Sequence, residues 1–228
     1  MNSGRRQFLG AIAGSAATLL FPRSAANAIA PQPAPFWGVR PLVNGVPLGP
    51  DAAAGSTTAP EAPALLPRAL AALQVHSDRI TDRDVIGIVD FSVPSRDPRF
   101  HLVDVAGGRI LSTHLVAHGK GSDPANSGWV EHLSNRPGSE ASCSGAFMTG
   151  PTYNGKHGRS RRLFGLDAEN SLADSRGIVI HAASYVDNAL AAEQGRIGRS
   201  QGCFAVSQSE IAGVLERLGP GRLLFAAR

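Results

Sequence analysis

A thiol stands in the glycine-framed stretch Gly198-Arg199-Ser200-Gln201-Gly202-Cys203, 22 positions after His181. Cysteine is the strongest nucleophile among side chains near neutral pH, but only as the thiolate. A free thiol ionises near about pH 8.5, and a neighbouring imidazole lowers that value by forming an ion pair. His181 closes the apolar run Gly177-Ile178-Val179-Ile180, so it falls at a strand end rather than in a polar loop. This pair of residue types is the minimum equipment for thiol acyl transfer. Gly202 lets backbone amides approach a substrate carbonyl, and the amides of Gly202 and Cys203 are candidate donors to the developing oxyanion.

Each residue also has a plainer use. Cys203 precedes Phe204-Ala205-Val206 and fits a core position, where unpaired cysteines are common. Two cysteines in an exported chain also allow a Cys143–Cys203 disulfide, and cysteine arithmetic alone leaves disulfide and nucleophile open. A histidine at a strand end is more often structural than basic. No metal is expected, since no cysteine pair has zinc-site spacing, and no cofactor motif is found.

The N-terminus reads as an export signal. Arg5-Arg6 followed by Phe8-Leu9 is a twin-arginine pattern, and Ala26-Asn27-Ala28 offers a cleavage site. The apolar stretch from Phe8 to Phe21 is shorter than the roughly 20 residues of a membrane span, so no stable insertion is expected after cleavage. The expected destination is the periplasm or cell envelope. Arg5, Arg6 and Arg23 leave with the signal, so the whole-chain charge of +4 falls to about +1. No nucleic-acid partner is therefore expected, and the chain reads as a monomer.

The elements that must position the pair follow from composition and periodicity. Residues 29–63 are rich in Pro, Ala and Gly and read as a linker or loosely packed arm, with Phe36-Trp37 able to dock. Residues 64–228 read as one loop-rich, strand-dominated domain. Leu65, Leu66, Ala69, Leu70 and Leu73 make one helical stripe over 64–75. Strands are predicted at 85–91, 100–105, 110–117, 145–149, 163–166, 177–181 and 222–226. A long polar stretch runs from His118 to Ser144, and Ser207-Gln208-Ser209-Glu210 is a capping box before a short helix.

From about Val85 onward the chain resembles the L,D-transpeptidase catalytic domain (YkuD-type), in its murein L,D-transpeptidase branch. That family carries a histidine, a gap, and then Ser/Thr-His-Gly-Cys; His181 and Ser200-Gln201-Gly202-Cys203 match it here. Tyr153-Asn154-Gly155-Lys156-His157-Gly158-Arg159-Ser160 and Leu163-Phe164-Gly165-Leu166 are similar to elements of the branch. So are His118-Gly119 and Ser134-Asn135. Gln201 departs from the usual histidine, and Phe204-Ala205 lacks the arginine that often follows the cysteine by two.

The resemblance implies a mainly β fold: an L,D-transpeptidase-like β-sandwich with short peripheral helices. It implies a cysteine acyl-enzyme formed on peptidoglycan stem peptides, resolved by an amine or by water. Cys203 would be the nucleophile, His181 its base and then acid, and the Ala182 carbonyl the group that orients the imidazole. Ser200 would shape the loop and Tyr153 would offer a hydroxyl near the oxyanion. Gln201 replaces the usual group beside the nucleophile. Arg199, or the run Arg159, Arg161 and Arg162, would supply the substrate contact that the missing arginine makes elsewhere. The alternatives are a wall-binding protein of this fold without turnover, and a wall cysteine peptidase or amidase.

Overall fold

Helix α1 (Leu66–Val75) forms within the predicted span, with Pro67 in its first turn, where a missing N–H leaves no bond unmade. Its Leu66, Ala69 and Leu73 are buried, whereas Leu70 of the predicted stripe lies 37% exposed at its edge. The structure, a computed structural model, describes residues 62–228. The predicted signal 1–28 and the arm, apart from Ala62 and Pro63, lie outside the described residues.

Eight strands follow: β1 (Val85–Asp90), β2 (Phe100–Asp104), β3 (Arg109–His114), β4 (Gly145–Gly155), β5 (Gly158–Gly165), β6 (Val179–Ala182), β7 (Phe204–Val206) and β8 (Leu223–Ala227). They hydrogen-bond in the order β3-β2-β1-β8-β4-β5-β6-β7. The β1–β8 and β6–β7 pairs are parallel and the rest antiparallel. The sheet folds back on itself. Phe91, just after β1, stacks on Phe204 of β7 at 5.9 Å, although four strands separate β1 from β7 in the sheet. Beyond β3, the Ala117 N–H donates to the Ala205 carbonyl of β7 at 2.8 Å and joins the two ends. The expected β-sandwich is thus one continuous mixed sheet.

Alternation sorts the side chains into two cores. Val89, Leu224 and Ala226 face inward to meet Phe147, Leu163, Ile180 and Phe204. Ile86, Ile88, Leu223 and Phe225 face outward and are covered by α1. Burial on both faces explains why β1 and β8 read as unbroken apolar runs.

Some elements depart from expectation. β4 and β5 extend into one long hairpin, with a register break between Thr149 and Thr152 at Gly150-Pro151, where proline has no N–H for the ladder. Among the strands and α-helices, two short ones went unpredicted, β7 and helix α2 (Asn188–Gln194). The capping box does not form. Ser207 Oγ instead donates to the Glu210 carboxylate at 3.0 Å, and helix α3 (Ile211–Arg217) starts after Glu210.

Candidate active site: a thiol and an imidazole on one sheet face

The distance in sequence between His181 and Cys203 is closed by a β6–α2–β7 crossover, the connection that parallel strands require. Asp187 caps α2 by accepting from Ala189 N and Leu190 N, and Gly195 ends it at φ 66°. The crossover rests on Ala117 and Ala205 through Ala191 of the helix and Ile197 just after it. In the β6–β7 register Ile180 pairs with Phe204 and His181 with Ala205. Ile180 and Phe204 therefore point to the inner core, while His181 and Ala205 take the opposite face, and Cys203, in the bend just before β7, lines the same cleft as His181. Cys203 lies two residues upstream of the position paired with His181.

The imidazole is held in one tautomer. His181 Nδ1 lies 2.8 Å from the Ala182 carbonyl, which can only accept, so Nδ1 carries the proton and Nε2 keeps a lone pair. Burial holds the ring below the ordinary histidine value, and His157 and Lys156 push the same way against the Ala182 bond. Cys203 is a free, half-buried thiol. Burial pushes its ionisation up, while the Val179 N–H, Lys156 and Arg176 favour the thiolate. Among the described residues its sulfur hydrogen-bonds the Gly177 carbonyl at 3.5 Å and makes no such bond to His181. A protonated thiol and a neutral imidazole therefore face the same space at rest.

The turn that carries the thiol is closed by Ser200. Its Oγ donates to the Cys203 carbonyl at 2.7 Å and accepts from the Gly202 N–H at 3.1 Å. The Gly202 amide thus points into the turn, which corrects its expected place in an oxyanion hole; of the two amides proposed, only that of Cys203 is left for that role. Gly202 has φ +117°, and a Cβ there would meet the Ala141 carbonyl oxygen at 2.8 Å, so glycine is required on both counts.

The long stretch after β3 clamps this turn. Ser142 Oγ accepts from Gly119 N at 3.0 Å and donates to Gly202 O at 3.1 Å. The Ser200 N–H donates to His118 O, and the Lys120 N–H to Ser200 O. Below it lies a fully buried network in which Arg99 Nη2 meets His118 Nδ1 at 2.8 Å and His118 Nε2 meets Asp123 at 3.3 Å. Arg99 also donates to the Val93 and Val116 carbonyls. Burial tends to raise the Asp123 carboxyl, but bonds from Ser127, Gly128 and His118 outweigh it and leave its pKa lowered. Burial and the Arg99 charge hold His118 down to about 4. His114 and His118 are four apart, a zinc-like spacing, yet on extended backbone they serve separate partners: His114 meets Ser112 and Glu210. Among the described residues no cluster of three or more His, Cys, Asp or Glu could hold a metal.

Cys203 and His181 open on a cleft of about 670 Å³. Its walls carry Lys156, Arg176, Arg199 and His157 and no carboxylate, so the field in it favours anions. Tyr153, Ser200 and Gln201 line it as well. Arg159 does not; it is exposed opposite Asn154 in the β4–β5 hairpin. Its neighbours are also diverted, Arg161 inward to the Gly150 and Leu215 carbonyls and Arg162 over the Tyr153 ring at 4.7 Å. Arg199 reaches back to the Asp123 carbonyl, and Gln201 to Glu140 at 3.3 Å. Cys143 is free and buried, its thiol pushed up to about 11, so the two cysteines are unpaired. The sequence reading missed three cleft residues. Tyr185 has a phenol raised to about 12, by burial first and Cys203 second, so it stays a donor. Arg176 donates to Ser134 O and Ala141 O and braces the clamp beside Gly202. His157 stacks on His181. Only the last lay within a quoted motif.

A mainly β domain with a cysteine and a strand-end histidine in one cleft defines a thiol-bearing class. A family model for the L,D-transpeptidase catalytic domain matches residues 60–227, and the chain belongs to that family. Comparison with curated proteins finds no match. Among solved structures, an L,D-transpeptidase from Mycobacterium smegmatis aligns with TM-score 0.40 at 14% identity, over 64% of this chain and 59% of that one. An L,D-transpeptidase from Xylanimonas cellulosilytica gives 0.39 at 14%, covering 68% of each chain. L,D-transpeptidase 3 from Mycobacterium tuberculosis, in complex with a faropenem-derived adduct, gives 0.36 at 13%, over 64% and 60%. The chain spans less than two thirds of the first of these.

Proposed function

We propose that the domain is a cysteine-dependent L,D-transpeptidase acting on peptidoglycan stem peptides. What carries this reading is the β6–β7 register, which sets a thiol and a tautomer-fixed imidazole on one face of a cationic cleft without carboxylates. On substrate binding the sulfur turns from the Gly177 carbonyl toward His181 Nε2; catalytic hydrogen bonds commonly tighten only in the complex. Nε2 takes the thiol proton, and the thiolate attacks the carbonyl carbon of an amide between an L-centre and a D-centre. The oxyanion is met by the Cys203 amide and a tyrosine hydroxyl, Tyr153 or Tyr185. Nε2–H then protonates the departing D-amino acid nitrogen, leaving a thioester on Cys203.

An acceptor amine gives a proton to Nε2, attacks the thioester and displaces the sulfur, which recovers that proton. Water in the same place gives carboxypeptidase activity. Lys156, Arg176 and Arg199 suit the carboxylates of such peptides. The proposal includes export as a monomer by the twin-arginine route, with residues 1–28 removed.

The test is acylation by a carbapenem, read by intact mass. One adduct is expected on the wild-type protein and none on Cys203→Ala. An adduct surviving that substitution, or none on the wild type, rejects the mechanism. Muropeptide products then separate cross-linking from hydrolysis and from binding without turnover.

A further inference from the structure

The β4–β5 hairpin turns at Lys156-His157, between the paired Gly155 and Gly158. Its tip separates the active cleft from a second cavity of about 410 Å³, lined by the same Lys156 and His157 with Tyr185 and Gln208. The His157 ring lies over that of His181 with centroids 4.2 Å apart and planes 22° from parallel. His157 is exposed, and among the described residues it makes no hydrogen bond. Its one specific contact is therefore the face of the other imidazole.

We propose that His157 is a positioning residue for His181 and, through its own proton, the device that disables the Cys203–His181 pair in acid. When Cys203 gives its proton to His181, the product ring is an imidazolium. A neutral His157 presents a π face to that cation and supports it. A protonated His157 would set a second like charge directly against it, at a 4.2 Å stacking distance well inside the screening length of physiological salt. Apart from the Cys203 thiolate, which the imidazolium already pairs, the groups lining the two cavities around His157 carry no anion to offset that charge. They include Lys156 on its own hairpin, His181 on β6, Tyr185 after it, Arg176, and Arg199 with Cys203 on the β7 approach. No Asp or Glu lines either cavity. The active pair thus needs His157 neutral, and acid removes reactivity by adding two protons rather than one.

This inference rests on the reading that Cys203 and His181 act as a pair, and its test separates the two. The rate of Cys203 alkylation by iodoacetamide, in which the thiolate displaces iodide, is followed by intact mass from pH 4.5 to 8. The proteins are the full chain, His157→Ala, His157→Phe and His181→Ala. Peptide mapping assigns the addition, since buried Cys143 reacts slowly. The wild-type rate should fall in acid with more than one proton. His157→Ala should react several-fold more slowly at pH 7.5. His157→Phe, which restores a flat ring without a proton, should recover that loss and fall with one proton only. At pH 5 it should keep roughly 5–10-fold more of its neutral rate than the wild type. Superimposable wild-type and His157→Phe profiles overturn the inference while leaving the pair intact. A His181→Ala profile identical to the wild type removes the pair, and both readings fall with it.

Discussion

Two histidines beside the turn that carries Cys203 live under opposite rules. His118 is sealed below it with both ring nitrogens engaged, one by Arg99 and one by Asp123. His181 lies above it with only Nδ1 engaged, its Nε2 facing a cleft that contains no carboxylate. Burial depresses both rings, so depression alone does not single out the one proposed to move a proton. The difference is satisfaction. A fully paired buried network has one arrangement and rigidifies what rests on it, whereas a ring with a spare lone pair can move a proton. The three experiments below probe that division, and each would blur it if it failed.

The largest effect is expected from Asp123→Ala. Asp123 accepts from Ser127 N, Ser127 Oγ, Gly128 N and His118, all at a position closed to solvent. Truncation leaves two buried donors unpaired, the Gly128 N–H and His118 Nε2, and weakens the balance for the Arg99 charge. A loss of about 3–5 kcal/mol is expected in urea unfolding. A loss below about 1 kcal/mol would mean the network is not what fixes the turn.

Next comes the pH dependence of stability. His118 binds a proton near 6.5 when unfolded and only near 4 when folded. Between those values the unfolded chain holds more protons, so stability falls as pH falls, beginning near 6.5 and complete below 4. The expected contribution is about 3 kcal/mol, and His118→Gln, which does not titrate, should flatten it. An unchanged slope in that variant would assign the acid sensitivity elsewhere.

The half of this comparison proposed to react stood out in the sequence far better than the half that supports it. Cys203 and His181 were legible because a glycine-framed thiol and a strand-end imidazole are local patterns. The long strands were legible because alternation and apolar runs are local too. The network was not, because Arg99 and Asp123 look like ordinary surface charges beside Pro98 and Pro124, and only the closed sheet turns them inward. Arg161 failed for the same reason, reading as part of a cationic patch while it serves carbonyls beneath α3. The Gly202 amide was misread because its partner, Ser200 Oγ, belongs to the turn itself, and turn geometry is not written in residue type. Helix α2, at seven residues, is too short for periodicity to reveal.

The smallest effect on stability should carry a large effect on reactivity. Ser142 Oγ joins Gly119 N to Gly202 O and so ties the clamp to the backbone of the turn that carries Cys203. Ser142→Ala leaves one buried N–H and one buried carbonyl unpaired, worth about 1–3 kcal/mol. Displacing a nucleophile by about 1 Å can cost on the order of a hundredfold in rate, so carbapenem acylation should fall at least about tenfold. Ser122→Ala is the matched control. Ser122 Oγ accepts from Ser142 N at 3.0 Å, one bond further from the turn, and its loss should lower stability similarly while sparing most of the acylation rate. Equal losses of rate in the two variants would show that the clamp acts through stability alone, and that Gly202 is held by its own backbone rather than by the serine that touches it.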